Sequence, residues 1–384
     1  MIKINKHRLF LSIFFFISGF SFSTWASRIP TIKSFFEFND AQLGTLLLAM
    51  PISSLIGLPI SGWLVSKYDS RVPLAAACGI NALSLAAIGY AHTPWLLVPA
   101  ICVFAFSMRI FNISVNTQAI TLQKQMGGAT IMGSFHGLWS TGGICGVGFS
   151  TLLLSMDVSI RTHLLMVAIA GITISLACYQ FLLTNDRTTK GNKLNLGKPD
   201  LYIVYLGLLV FFASICEGGM FDWSGIYFKE ILNVKIFTYG YLIFMAFMAT
   251  SRFLSDVVIR LIGMPATYII SSLLIVFGIG IAIIIPSIMS ALIGFSLVGL
   301  GTASVVPMTY MLAGTSRKYS PGMAISIIAT YAIAGMLLGP PLIGYISHAF
   351  NLRVSFILFA FSGLMLIPVS ALFFRHQRSL TLLG

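Results

Sequence analysis

The sequence predicts an all-α membrane protein of twelve transmembrane helices in two pseudo-symmetric six-helix halves. Three observations predict it. Apolar stretches of about bilayer length recur along nearly all of the 384 residues. Basic residues accumulate on alternate connections between those stretches. A polar linker divides the chain near its middle, with weak self-similarity across it. A helix rises about 1.5 Å per residue, so roughly 20 apolar residues cross a ~30 Å hydrocarbon core. The runs are continuous and do not alternate over ~10 residues, which excludes a barrel. Only 9% of residues are charged, against about 25% in a soluble domain, and no length remains for a soluble catalytic or nucleic-acid-binding domain.

Taken in order, the first span is Leu9 to Ile32. It follows a basic start, like a secretory signal, but its apolar stretch continues past Trp25 and is long for a signal, so it reads as a retained helix. Lys33 separates it from the second span, Ala41 to Ser66. Lys67 and Arg71 then precede the third, Val72 to Ala91, and the fourth is Trp95 to Ile120. Lys124 precedes the fifth, Met132 to Leu154, and Arg161 precedes the sixth, His163 to Leu183. The polar linker occupies 184–200. In the second half the spans are Leu201 to Tyr227, Tyr239 to Ile259 and Pro265 to Ile285, then Ile288 to Gly314, Gly322 to Ile346 and Val354 to Phe374. The expected domains are therefore 1–183, a cytoplasmic linker over 184–200, and 201–384.

With the N-terminus inside, fifteen basic residues fall on the inner side, from Lys3, Lys6 and Arg8 through Arg187, Lys190, Lys193 and Lys198 to Arg375 and Arg378. Five fall outside: Lys33, Arg161, Lys229, Lys235 and Arg353. That asymmetry places both termini in the cytoplasm of a multi-pass protein of the bacterial inner membrane. It also accounts for the +13 net charge without a nucleic-acid partner. All five cysteines lie inside spans with no ligand spacing, so neither disulfides nor a metal is expected, and no cofactor.

Self-similarity crosses the linker: FSTWAS around Trp25 echoes MFDWSG around Trp223, as a duplicated transporter would show. The loop after the second span, GWLVSKYDSR, resembles the motif G-x-x-x-D-R-x-G-R-[RK] of the major facilitator superfamily. Gly62 and Arg71 match, Lys67 replaces the arginine, Ser66 stands where the aspartate belongs, and Asp69 stands where the second glycine belongs. The equivalent loop of the second half, SRFLSDVVIRLIG, aligns Arg252, Asp256 and Arg260 on one helical stripe. The resemblance implies the major facilitator fold and assigns these residues to an inner gate that latches the halves. Four further stretches, NISVNTQA from Asn112, SFHGLWSTGG from Ser134, EGGMFDWSGIY from Glu217 and GMLLGPPLIG from Gly335, resemble the bacterial inner-membrane branch called YbjJ-like, loosely related to fucose-type sugar:proton symporters.

Ionised groups inside a bilayer are costly and should face a cavity or a partner. In the first span Trp25 and Arg28 share a face with Ser21 and Thr24. They read either as a cavity wall or as an interfacial tryptophan beside an arginine reaching the headgroups. Pro30 should bend or break that helix. Arg109, Asn112 and Asn116 form a narrow stripe on the fourth span, suited to hydroxyl-rich or amide-bearing ligands. His136 and Trp139 share a face of the fifth, and the run GGICGVG from Gly142 allows close helix approach. The seventh holds Glu217 and Asp222, about 140° apart unless Gly218 and Gly219 unwind the helix. Spans one, four, seven and ten enclose the cavity of the superfamily fold, which would let Arg109 face Glu217 and Arg28 face Asp222. Burial favours the neutral acid and a nearby arginine the charged one, so such a carboxylate could bind and release a proton. In the tenth span Pro307 should introduce a kink, and Gly339 to Pro341 should bend or break the eleventh.

These readings predict a secondary active transporter working by alternating access. Its expected partners are a small-molecule substrate, protons and the lipid bilayer, with the protein acting as a monomer. Substrate contacts are expected from Trp25, Arg28, Arg109, Asn112, Asn116, His136, Trp139 and Trp223, and proton coupling from Glu217 and Asp222. Amide, hydroxyl and aromatic groups favour a sugar-like solute. The alternative is proton-driven efflux of amphipathic drugs or metabolites, supported by the very apolar helices. No nucleotide-binding loop and no H-E-x-x-H or G-x-S-x-G motif is present, so an enzyme is not expected.

Overall fold

Helix is the only regular secondary structure in the computed structural model, which describes residues 2–126, 131–184, 200–319 and 321–382. The interior of the predicted linker, with Arg187, Lys190, Lys193 and Lys198, lies outside the described residues. The helices are α1 (Ile2–Phe35), α2 (Asp40–Leu47), α3 (Ala49–Lys67), α4 (Arg71–Tyr90), α5 (Pro94–Gln125), α6 (Met132–Ser155) and α7 (Ile160–Cys178). After the linker come α8 (Leu201–Ile226), α9 (Tyr239–Ile284), α10 (Ile288–Thr302), α11 (Val305–Ala313), α12 (Pro321–Ala349), α13 (Leu352–Ser355) and α14 (Ile357–Leu382). Among the described residues, eleven stretches are helical, long and apolar enough to cross a bilayer. The twelfth predicted span lies within α9. That helix has 46 residues, far beyond bilayer length, and at Gly263 its backbone leaves the helical region with φ 79° and ψ 160°. Only glycine adopts such a conformation without strain. Gly263 therefore divides α9 into two arms, 239–262 and 264–284.

Two other spans are interrupted for a related reason. Pro51 has no N–H to offer the Leu47 carbonyl four residues back, and the second span breaks between α2 and α3. Pro307 stands in the same relation to Ala303, and the tenth span breaks between α10 and α11. At two other proline sites, where a bend or a break was expected, the helix does not break. The first helix continues through Pro30 to Phe35, and α12 runs unbroken through Pro340 and Pro341. At the latter, the Pro340 carbonyl and Pro341 Cα pack within contact distance of Gly44 on α2, which supports the helix where a hydrogen bond is missing.

The contacts group α1 and α3–α7 into one unit, and α2 with α8–α14 into another. In the first unit, α1 packs on α6, α5 and α7, α4 on α5 and α7, and α3 on α5. Its core holds Phe14, Phe15, Phe111 and Phe135, with Phe15 and Phe135 stacked at 4.9 Å. In the second unit α8 packs on α12 and α14, α9 on α10 and α14, and α2 on α12. The α2 contact is fixed by a bond from Ser347 to Asp40 and by Thr45 and Tyr345 at 2.9 Å.

The duplication read from the tryptophans recurs in the tertiary structure. In each half a cation at the start of the sixth span meets the end of the third. Arg161 stacks on Tyr90 at 4.9 Å in the first, and Arg353 Nε donates to the Ile283 carbonyl at 3.1 Å in the second. The latter satisfies a carbonyl at a helix C-terminus, where positive charge is favoured.

Candidate functional site

The ionic centre of the second unit joins α8 to the first arm of α9. Arg252 Nη2 donates to Glu217 Oε1 at 2.8 Å. Glu217 is buried, and the Arg252 side chain keeps 29% exposure. The bond gives the carboxylate a cation from a neighbouring helix of the same unit, and that cation is one of the residues expected in the inner gate. The helix does not unwind at Gly218 and Gly219, since α8 is continuous to Ile226. Glu217 and Asp222 therefore stay on different faces of one helix. Gly219 serves packing: a Cβ there would strike the Phe359 ring. Asp222 is half-buried, and no hydrogen bond or ion pair to it is seen among the described residues.

In the first unit, Arg109 Nε donates to Ser54 Oγ at 2.7 Å, and α3 approaches its stem at Gly57. Asn116 Nδ2 donates to the Asn112 carbonyl at 2.8 Å and to its side-chain oxygen at 3.4 Å. The stripe predicted on the fourth span is thus continuous, half-buried and polar. His136 is exposed and lies edge-on to Phe15. Trp139 is half-buried beside Phe22.

Trp25 and Trp223 are buried, at 1% and 0% exposure, and among the described residues neither indole N–H meets an acceptor. This places Trp25 inside the protein, against Phe104, and removes the interfacial reading. Arg28 does not reach the headgroups either. It is 1% exposed, and its guanidinium donates from Nε to His163 Nδ1 at 3.0 Å and from Nη2 to the Val158 carbonyl at 3.4 Å.

Four residues expected at the inner gate close the second span and open the third. Gly62 and Lys67 are exposed and Asp69 is half-buried. Lys67 lies over Trp63 at 4.6 Å, and Arg71 lies over Tyr179 at 5.2 Å. Arg260 is exposed, and the Asp256 side chain lies outside the description.

Sequence reasoning missed two residues. One is His163, read only as the start of a span. The other is Gln118, whose buried amide donates to Ser70 Oγ at 2.8 Å and to the Leu183 carbonyl at 2.9 Å, and accepts from the Leu183 N–H at 2.9 Å. It fastens three segments that are distant in sequence. Gln118→Leu strands buried groups at about 1–3 kcal/mol each, so a clear fall in melting temperature in detergent is expected. An unchanged melt would make this amide dispensable.

The Major Facilitator Superfamily model matches residues 11–319. An uncharacterized MFS-type transporter of Yersinia pestis is 33% identical, across 93% of this chain and 92% of that protein. An uncharacterized transporter of Sinorhizobium fredii is 30% identical, across 92% and 96%. Among solved structures, the nucleoside transporter NupG superposes with a TM-score of 0.72 at 15% identity, covering 95% of this chain and 99% of that one.

Proposed function

The chain belongs to the Major Facilitator Superfamily, and from that premise we propose that it is a proton-coupled secondary transporter of a small, polar, sugar-like solute. It works by alternating access as a monomer in the bacterial inner membrane, with both termini in the cytoplasm. Membership in the YbjJ-like branch is part of this reading. The observation that carries it is the ion pair at 2.8 Å between Arg252 and Glu217, whose carboxylate sits on the apolar, bilayer-length helix Leu201–Ile231.

Ionisable groups inside a bilayer are costly and mark proton relays and ion pathways. Coupling needs such a group, which is neutral in one stage of the cycle and charged in another. The polar stripe of Arg109, Asn112 and Asn116 supplies donors and acceptors for hydroxyl groups.

The experiment is Glu217→Gln in reconstituted vesicles. Proton-driven accumulation should disappear, while exchange of substrate across the membrane persists. Gradient-driven uptake at the wild-type level would reject the assignment.

A further inference from the structure

A groove of about 580 Å³ runs where the second arm of α9 meets α14. The two helices are antiparallel there. The Tyr268 and Phe374 rings lie 6.1 Å apart towards one end, and Ile275 packs on Gly363 further along. Both helices belong to apolar stretches of bilayer length, Val257–Ile284 and Leu352–Ser379. Ile269, Ile367 and Phe374 give the groove an apolar lining, and Arg375 and Arg378 line its end. Positions 367, 374, 375 and 378 fall on one face of α14. Along that face the lining passes from apolar to basic over about 16 Å.

The basic end has no counter-charge beside it. Neither the second arm of α9 nor α14 contains an aspartate or glutamate. Both arginines are exposed, and among the described residues no hydrogen bond or ion pair holds either guanidinium. They stand within five residues of the end of their apolar stretch, where a lipid headgroup begins. The backbone adds to the same field. Gly263 starts a new arm of α9, and Pro265, in its first turn, lines the groove. The antiparallel register brings that N-terminus, the positive end of the arm's dipole, towards the arginines.

We propose that this groove binds an anionic phospholipid, with an acyl chain along Ile269, Ile367 and Phe374 and the phosphate held by Arg375 and Arg378. Guanidinium groups match phosphate oxygens in pairs, and basic pockets between membrane helices recognise anionic headgroups. The apolar length of the groove separates this ligand from a soluble phosphate, which would leave that surface uncovered. The unanswered positive charge separates it from a zwitterionic lipid, whose own cation would be repelled. A lipid held in this way ties α14 to the arm of α9 that begins at Gly263. Its assignment to the cytoplasmic leaflet rests on the orientation proposed above; the binding does not.

Native mass spectrometry and melting curves of the detergent-purified protein test this, with dioleoyl phosphatidylglycerol, dioleoyl phosphatidylcholine and inorganic phosphate as separate probes. Phosphatidylglycerol should remain bound and raise the melting temperature by mass action, and the other two should not. Replacing both arginines, Arg375→Gln with Arg378→Gln, should weaken phosphatidylglycerol binding roughly thirtyfold, at about fivefold for each basic residue near a headgroup. Ile269→Trp fills the groove, leaves both charges in place and should also expel the lipid. Lys6→Gln with Lys124→Gln removes two exposed charges from the other unit and should leave binding unchanged. Equal retention of phosphatidylcholine, stabilisation by inorganic phosphate alone, equal losses in the two double variants, or wild-type binding by Ile269→Trp overturns the proposal. If the arginine variant does not fold, the comparison of probes on the wild type and Ile269→Trp decide. Glu217→Gln protein should bind the lipid as the wild type does, so a failure of the transport assignment leaves this measurement intact.

Discussion

Arg252→Met is expected to abolish proton-driven accumulation while leaving an inserted, folded protein. The reason lies in the charge state of its partner. Glu217 is buried on α8 and bonded to Arg252 at 2.8 Å. A carboxylate without a counter-charge in apolar surroundings holds a proton instead of remaining ionised. A group locked in one protonation state cannot cycle, so the variant should behave like Glu217→Gln, with exchange retained and accumulation lost. Asp222 cannot take over, because α8 is continuous between the two acids and directs them to different faces. Combining Arg252→Met with Glu217→Gln should add nothing to the transport defect, since both substitutions block one cycle. Stability offers a second reading. Breaking a fully buried pair costs about 3–5 kcal/mol, and the 29% exposure of Arg252 reduces that here. The double variant should therefore melt at or above the temperature of Arg252→Met. Arg252→Lys keeps a charge but loses the planar fork and should retain partial accumulation. Additive losses in vesicle uptake, or accumulation by Arg252→Met, would remove the pair from the coupling mechanism.

The limits of what the sequence conveys show in these same residues. The helical spans were legible because their apolar runs have bilayer length. The Asn112–Asn116 stripe was legible because helical periodicity places both on one face. The two arms of α9 were legible as separate spans, although the helix carries only a glycine backbone turn between them. Pairings between helices were not legible. Periodicity states which residues share a face, but not which helix that face meets or at what depth. The bond from Arg252 to Glu217 joins two helices whose contact neither sequence stretch announces. Arg28 lies 135 positions before His163, and nothing local marks that histidine as an acceptor. Gln118 bridges Ser70 and Leu183 for the same reason: its partners become neighbours only after α4, α5 and α7 have packed. Proline effects were half legible. Pro51 and Pro307 break their spans at the carbonyl four residues back, while Pro30 and Pro340 sit in helices that continue.

Gly142→Val is expected to eliminate folded protein, and the run GGICGVG explains why one side chain has that effect. A Cβ at Gly142 would lie on the Phe16 backbone carbonyl of α1, and one at Gly146 would approach the Phe20 carbonyl at 2.6 Å. From the other side, Gly19 of α1 meets the Trp139 carbonyl of α6 in the same way. The obstacle in each case is backbone, which cannot rotate away as a side chain can. Helices in lipid also lack a hydrophobic force holding them together, so close backbone approach carries much of their association. Separating α1 from α6 forfeits that contact over several turns. Overpacking usually costs about 1–3 kcal/mol, and opposed backbone should place this substitution at or beyond the upper end. The separation would also shift α1 relative to the Ser150 that Ser27 bonds and the His163 that Arg28 bonds. Gly148→Val is the control, because nothing lies within 4 Å of a Cβ there. Size-exclusion profiles and melting curves of detergent extracts should show the Gly148 variant intact and the Gly142 variant aggregated or absent. Equal behaviour of the two would mean that α1 and α6 are not held by backbone contact.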